Sequence, residues 1–357
     1  MDFDNTPAME APPGFESNLV NPDSRATTRV VVSSVALAIV AIFVPIRVFV
    51  RYKIGYFNSE DWVLLFATAA FIVLESMLMI VSLYGGDGTH LWDISLSRLF
   101  DTLYYENIAE IMYCTTMFPI KYVMLHQVKS IFFAHDRRSP FHRIIVVLIW
   151  ANLLLYVALG LAFIFGCTPR EKIWHPMIEG RCISVVTCMS AGGALNIASD
   201  ASVLIIPLFG ISKLQLPLKK KLLASSVFAI GVFATAAAIV RFYYGLQLLT
   251  TEDTTWVFMD IGNWTTIEFM MGFIVAGAPY VPRLLENRFS QKSPSQVTPA
   301  IVKTTFYSSK VMNRTDGQDA GWSALREQDD MPFDGTTQAY SMSNKSSNRS
   351  SDRSELV

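Results

Sequence analysis

Seven stretches of this chain are each long and apolar enough to cross a lipid bilayer, and that pattern restricts the fold more than any other feature. They run over Val30–Val50, Trp62–Leu83, Leu103–Phe133, Ile144–Phe165, about Val185–Ile211, about Leu222–Leu249 and about Val257–Tyr280. A membrane helix needs roughly 20 apolar residues to cover the hydrocarbon core. The third stretch carries charges and is the least obvious on hydropathy alone. In lipid every backbone amide and carbonyl must be bonded within the spanning structure, which leaves helices or a closed barrel. A barrel strand would alternate in hydrophobicity over about 10 residues, and nothing here alternates. The expected fold is all-α, a seven-transmembrane helix bundle.

Composition points the same way. Of 357 residues, 52% are hydrophobic and 17% are charged, against about 25% charged in a soluble domain. The polar residues concentrate in 1–28 and 284–357, so the middle is more apolar than the average. An ordinary cytosolic enzyme, a disordered chain and a disulfide-dense secreted domain are excluded. A net charge of −1 gives no electrostatic footprint for nucleic acid.

Orientation follows from the basic residues near the spans. One side carries 13: Arg51 and Lys53; Lys129, Arg137, Arg138 and Arg143; Lys213, Lys219, Lys220 and Lys221; and Arg283, Arg288 and Lys292. The other carries six, namely Arg25, Arg29, Arg98, Arg170, Lys172 and Arg181. The richer side is expected in the cytoplasm, with the plasma membrane ahead of internal membranes. The domain reading is a short extracellular N-terminal segment over 1–28, the bundle over 29–285, and a disordered cytoplasmic tail over 286–357. The first residues, MDFDNTPAMEAPPGF, have no basic start and no apolar core, so no cleavable signal peptide is expected. The tail is rich in Ser and Thr and holds no Cys, which removes palmitoylation there.

Ionisable residues at membrane depth need a partner or a watery cavity. Glu106 and Glu110 lie one turn apart in the third span, and Lys121 lies about three turns beyond Glu110 on the same face. Asn196 and Asp200 are one turn apart in the fifth span. Lys121 with Asp200 is the preferred buried ion pair; the plainer readings are a snorkelling lysine and an aspartate bonded to a hydroxyl. Glu75, Glu110, Arg241 and Glu268 lie at comparable outward depths. They are read as lining an outer ligand cavity, or else as interhelical salt bridges that fix packing.

Four cysteines are present. Cys114 and Cys188 fall inside spans, as small buried hydrophobes. Cys167 and Cys182 flank the outer connector CTPREKIWHPMIEGRC. A bridge between them would be worth about 3 kcal/mol in the chain-entropy model; the other reading is two unrelated thiols. The sequon at Asn263 lies too near the membrane for glycosylation, and those at Asn313, Asn344 and Asn348 fall in the tail.

Chemistry is tested by elimination. A retinal protein needs a lysine in the seventh span for its Schiff base, and GNWTTIEFMMGFIVAGAPY has none. Only His126 among five histidines lies in a span, with no HExxH or HxxxH, so neither a metal site nor another cofactor is expected. Nucleophile elbows and phosphate loops are missing, and Gly85–His90 (GGDGTH) reads as a turn. No repeat relates the two halves in the manner of a carrier. The expected role is a non-enzymatic, receptor-like sensor of an extracellular small molecule, with a cytoplasmic signalling partner. The alternative is a transporter or accessory membrane protein for export of a small metabolite.

The motifs carry a resemblance. Glu60-Asp61-Trp62 opens the second span, and Gly85-Gly86-Asp87-Gly88-Thr89-His90 with Asp93 follows it. Lys121 is next, then Cys167-Thr168-Pro169 with Trp174, Gly180 and Cys182. Asn196, Ser199-Asp200 and Pro207 follow, and after them Phe228, Gly231, Arg241, Asp253-Thr254, Trp264, Glu268 and Pro279. In this order, over residues 30–285, the chain resembles the fungal rhodopsin-domain family of seven-helix membrane proteins, receptor-like proteins of filamentous ascomycetes. It departs at Glu60, where Asp is usual, and at His126-Gln127-Val128-Lys129, where a more apolar run is usual. The resemblance implies a membrane protein with a proposed receptor role and names no ligand. The acidic-Arg-aromatic triplet of animal G-protein-coupled receptors is missing from KSIFFAHDRR.

Overall fold

The computed structural model describes residues 3–132, 140–213 and 218–284, with the side chains of 131–132, 207–213 and 218–227 left aside. Outside the described residues fall the expected tail at 286–357 and its sequons, together with Arg137, Arg138, Arg288 and Lys292. The side chains of Pro207, Lys213 and Lys219–Lys221 fall outside as well.

Seven long helices carry the fold among the described residues: α1 (Ala26–Ile54), α2 (Ser59–Tyr84), α3 (Leu96–Phe132), α4 (Pro140–Phe165), α5 (Val185–Lys213), α6 (Leu218–Gln247) and α7 (Thr254–Gly277). By length and composition α1, α2, α4 and segments of α5 and α6 could each cross a membrane. The apolar criterion leaves out α3 and α7 because these two hold much of the interior polar chemistry described below.

Local chemistry sets the helix ends. α1 stops at Gly55, whose φ of 72° suits a left-handed cap. The amides of Gly55 and Tyr56 close back on the carbonyls of Tyr52 and Arg51. α2 begins four residues on, where the Asp61 carboxylate accepts the Asn58 amide at 3.1 Å. That tight turn puts the last turns of α1 beside the first turn of α2. α3 has 37 residues. At 1.5 Å per residue it is about 55 Å long, well beyond a hydrocarbon core of about 30 Å.

The core sits where α2, α3 and α7 meet. Phe71 packs against Phe269 and Phe273 with ring centroids 5.7 and 5.3 Å apart. α7 comes so near α3 that a Cβ on Gly272 would lie 2.6 Å from Ile120 Cγ2. The outward faces are apolar: Ile42, Phe66, Ile80, Trp150, Leu154 and Leu161 are exposed, while Arg47, Glu75, Lys121 and Asn196 are buried. This reverses the usual soluble pattern and suits a hydrocarbon surround.

One end of the bundle carries a small covering. A two-residue hairpin pairs β1 (Cys167–Thr168) with β2 (Arg181–Cys182), and a Cys167–Cys182 disulfide joins the strands. Trp174 in its loop meets Tyr104 edge-on at 5.2 Å, and His175 meets Phe100 at 4.7 Å. The N-terminal segment is strapped to the α2–α3 connector. Ala8 donates to Ile94 O, Leu96 to Thr6 O and Arg25 to Gly88 O. Gly85–His90 forms the turn at this point, with Gly88 at φ 80°. Sequence alone gave no sign that residues before 25 would be held in this way.

Candidate functional site

Just beneath the hairpin end lies a cavity of about 80 Å³. Its wall is mostly apolar, with Leu74, Leu78, Phe163, Met189 and Phe258 among its residues. Its polar groups come from α3 (Glu106, Glu110 and Tyr113), α6 (Arg241) and α7 (Thr265). The α-helical period explains the α3 set: residues three or four apart share a face.

Arg241 is the anchor of the far wall. Its Nε donates to Glu268 Oε2 at 2.9 Å and one Nη to the Tyr113 hydroxyl at 3.0 Å, with the guanidinium 5.0 Å from the Tyr113 ring. The other oxygen of Glu268 accepts from Asn196 Nδ2 at 2.7 Å. Asn196 Oδ1 in turn accepts from Lys121 Nζ and from the Tyr156 hydroxyl, both at 2.6 Å. Lys121 Nζ lies 2.8 Å from Asp200 Oδ1. Two cations and two carboxylates thus alternate along one buried chain, from the cavity wall to the middle of the bundle. Charge balance is the physical reason this much ionisable chemistry is tolerated there, since a buried charge is costly unless paired and hydrogen-bonded.

Sequence reasoning took the outer cavity and the Lys121–Asp200 pair as separate features; Asn196 joins them. It also needs two corrections. Glu75, expected in the cavity with Glu110, Arg241 and Glu268, faces elsewhere. Its carboxylate accepts from Ser33 at 2.6 Å and Thr266 at 2.8 Å, fully buried between α1 and α7. Its place along α2 follows from the sequence, whereas rotation about the helix axis does not. Glu268 also stands behind Arg241 and does not line the cavity. Glu106 and Glu110 do line it, and neither has a hydrogen-bond or ion-pair partner among the described residues.

A second polar cluster closes the opposite end, and the sequence reading missed it. Arg47 is fully buried, 3.1 Å from Asp61 and 3.5 Å from Glu60, and donates to Gln127 at 2.7 Å and to Ala276 O at 2.9 Å. Arg51 lies 2.8 Å from Asp61 and donates to the Tyr280 hydroxyl at 2.9 Å. His126 Nδ1 is 2.9 Å from Glu60. The signal was available: an arginine inside the first apolar run, followed across a short turn by an acidic pair.

The remaining motif residues are spread over both ends. At the hairpin end the Gly86 amide donates to Thr102 Oγ1 at 3.0 Å. His90 lies 2.6 Å from Asp253 and is stacked between Trp92 and Trp256, at 4.3 and 3.9 Å. Asp87 is buried 3.7 Å from Arg29. Its burial pushes the carboxyl above the usual range, and Arg29 and the Ser82 hydroxyl only partly offset this. Trp62 is exposed and meets Phe57 edge-on. Trp264 is half-buried on α7, Pro279 lies in the closing 3-10 turn, and Pro207 lies in α5.

A bundle of long helices with a lipid-compatible surface and its charges turned inward is a membrane protein. Residues 46–287 match the fungal rhodopsin domain, and the chain belongs to that family. It is similar to a SAT4 family membrane protein of Emericella nidulans, 30% identical over 206 residues, covering 58% of this chain and 52% of that protein. It thus spans about half the length of that relative. It is also similar to the Fugralins biosynthesis cluster protein 2 of Gibberella zeae, 23% identical over 79% of this chain and 71% of that protein. A third relative is the Wortmanamides biosynthesis cluster protein C of Talaromyces wortmannii, 23% identical over 76% and 74%.

Proposed function

We propose that this chain is a non-enzymatic, receptor-like sensor of an extracellular small molecule, spanning the plasma membrane seven times. In this reading the hairpin end faces outward and the tail lies in the cytoplasm. The excess of Lys and Arg in the connectors at the other end supports that orientation, as does the disulfide, since such bridges persist in oxidising compartments. The basic connectors would also sit well on anionic lipid.

The observation that carries the reading is the continuity of the polar chain. A ligand that disturbed Arg241 or Tyr113 would also disturb Glu268, Asn196 and Lys121, because each is bonded to the next. A sensor needs such a connection; a passive structural pair does not. With no lysine in α7, the ligand would not be retinal.

A second reading has its own support. Two of the relatives are named for biosynthesis clusters, which fits an accessory role in export of a small metabolite. Proximity labelling from the C-terminal tail in living cells, with and without extracellular metabolites, separates the two. A sensor changes the tail's partners when a metabolite is added. Transport or biosynthetic neighbours that no metabolite alters would overturn the sensor reading in favour of the export role.

A further inference from the structure

We propose that the cavity beneath the hairpin binds a compact cationic ligand with an apolar body, its ammonium group between Glu106 and Glu110 and an acceptor oxygen toward Arg241. This rests on the reading of that cavity as the sensor's binding site and adds the chemical class of its occupant.

The argument is one of unmatched groups. Lys121 is matched by Asp200, and Arg241 by Glu268. Glu75 is held by two hydroxyls. Arg29 faces Asp87, and Arg25 faces Asp260 at 2.6 Å. Glu106 and Glu110 are the carboxyls left over on the cavity wall, one turn apart on one face and with no hydrogen-bond or ion-pair partner among the described residues, Arg29 acting on Glu106 only from beyond ion-pair distance. Two such groups side by side in an apolar wall repel each other when ionised and are costly to desolvate. A cation between them relieves both penalties. Independently, Arg241 is 9% exposed and lines the same cavity, yet its Nη1 has no partner among the described residues. That N–H can donate to an acceptor oxygen on the ligand. Phe163, Phe258 and Met189 supply aromatic and polarisable surface for the body of the molecule. At about 80 Å³ the space suits a short chain of a few heavy atoms, since a benzene ring occupies a cavity of about 150 Å³.

The test uses the purified full chain in nanodiscs of neutral lipid, with 1-amino-2-propanol as the probe and 2-propanol and propionate as controls. Calorimetric titration, corrected by empty nanodiscs, is expected to show saturable binding of the amine at least tenfold tighter than either control. Glu106→Gln and Glu110→Gln keep the side-chain volume and are each expected to weaken the amine about tenfold. Glu16→Gln, in the N-terminal segment, should leave it unchanged. Cys188 also lines the cavity and is a free thiol. Its N-ethylmaleimide labelling, read by mass spectrometry, should therefore slow when the amine is bound to the unaltered chain, a readout that needs no variant to fold. The proposal is overturned if the amine binds no better than 2-propanol, if both glutamine variants bind like the parent, or if Cys188 labelling is indifferent to the amine. Failure of the sensor reading looks different: the amine binds and protects Cys188, but the tail's partners stay the same.

Discussion

The polar cluster away from the hairpin and the cavity beneath it treat charge in opposite ways. At the end away from the hairpin, Arg47, Arg51, Glu60, Asp61, Gln127 and Tyr280 are interlocked, and His126 closes on Glu60. Beneath the hairpin, Glu106 and Glu110 face a cavity with no hydrogen-bond or ion-pair partner among the described residues. The first arrangement pins α1, α2, α3 and the end of α7 together. The second spends stability to keep groups available. Matched buried charges specify structure, whereas unmatched ones at a cavity mark a place for something else.

The largest expected effect falls on the matched end. Asp61→Ala leaves Arg47 and Arg51 short of a counter-charge, and removing one partner of a buried pair costs about 3–5 kcal/mol. Thermal melting of the solubilised chain should show a collapse in stability, with a matching loss of cell-surface protein. An unchanged melting point would mean that the cluster is incidental to the fold.

Next comes the middle of the chain of bonds. Lys121→Ala and Asp200→Ala should each reduce surface level severely, while exchanging the two residues should recover part of the loss. If the exchange is as bad as the two single losses added together, the groups do not act as a pair. Asn196 tempers the recovery, because it bonds to Lys121 through both its backbone and side-chain oxygens.

The covering at the hairpin end is expected to matter less. Cys167→Ser removes the disulfide, worth about 3 kcal/mol at most in the chain-entropy model, and should loosen the hairpin while leaving the opposite end untouched. Hydrogen exchange would show this as faster exchange confined to 166–183 and the adjoining turn of α3. Faster exchange spread through α1 and α2 as well would erase the distinction between the two ends.

The smallest effect is one of pH. Burial raises the Asp87 carboxyl above its usual value, against the opposing pull of Arg29, Ser82 and Arg25 and with the added push of Asp260. The folded chain therefore holds that proton more tightly than the unfolded chain. Its contribution to stability is full below about pH 4 and falls as pH rises through the folded-state value. Asp87→Asn should flatten the part of the stability profile between about pH 4 and the folded-state value. A profile with the same slope in parent and variant would show that Asp87 does not titrate in this window.

What could be read in the sequence was position along each helix and charge. The spacing of Glu106, Glu110 and Lys121 along α3, and of Asn196 and Asp200 along α5, follows from 3.6 residues per turn. Their being polar at such depth already asks for partners. Direction around the helix axis is a tertiary property, set by how α2 packs on α1 and α7. That is why Glu75 could be assigned a depth but not the right neighbours. Asn196 was visible as a motif residue, yet its four bonds depend on where α3, α4 and α7 stand around α5. Arg47 could have been found: a charged residue in an apolar run, close in sequence to Glu60 and Asp61, is a short-range constraint.

The contrast between the two ends is tested most directly by melting the Glu106→Gln/Glu110→Gln double variant beside Asp61→Asn, both purified under one set of conditions. Neutralising two unmatched carboxyls should leave the melting temperature at or above that of the parent, while the single change at Asp61 should lower it sharply. If the double variant melts as low as Asp61→Asn, then Glu106 and Glu110 hold the bundle together and the cavity is not a site kept open for a ligand.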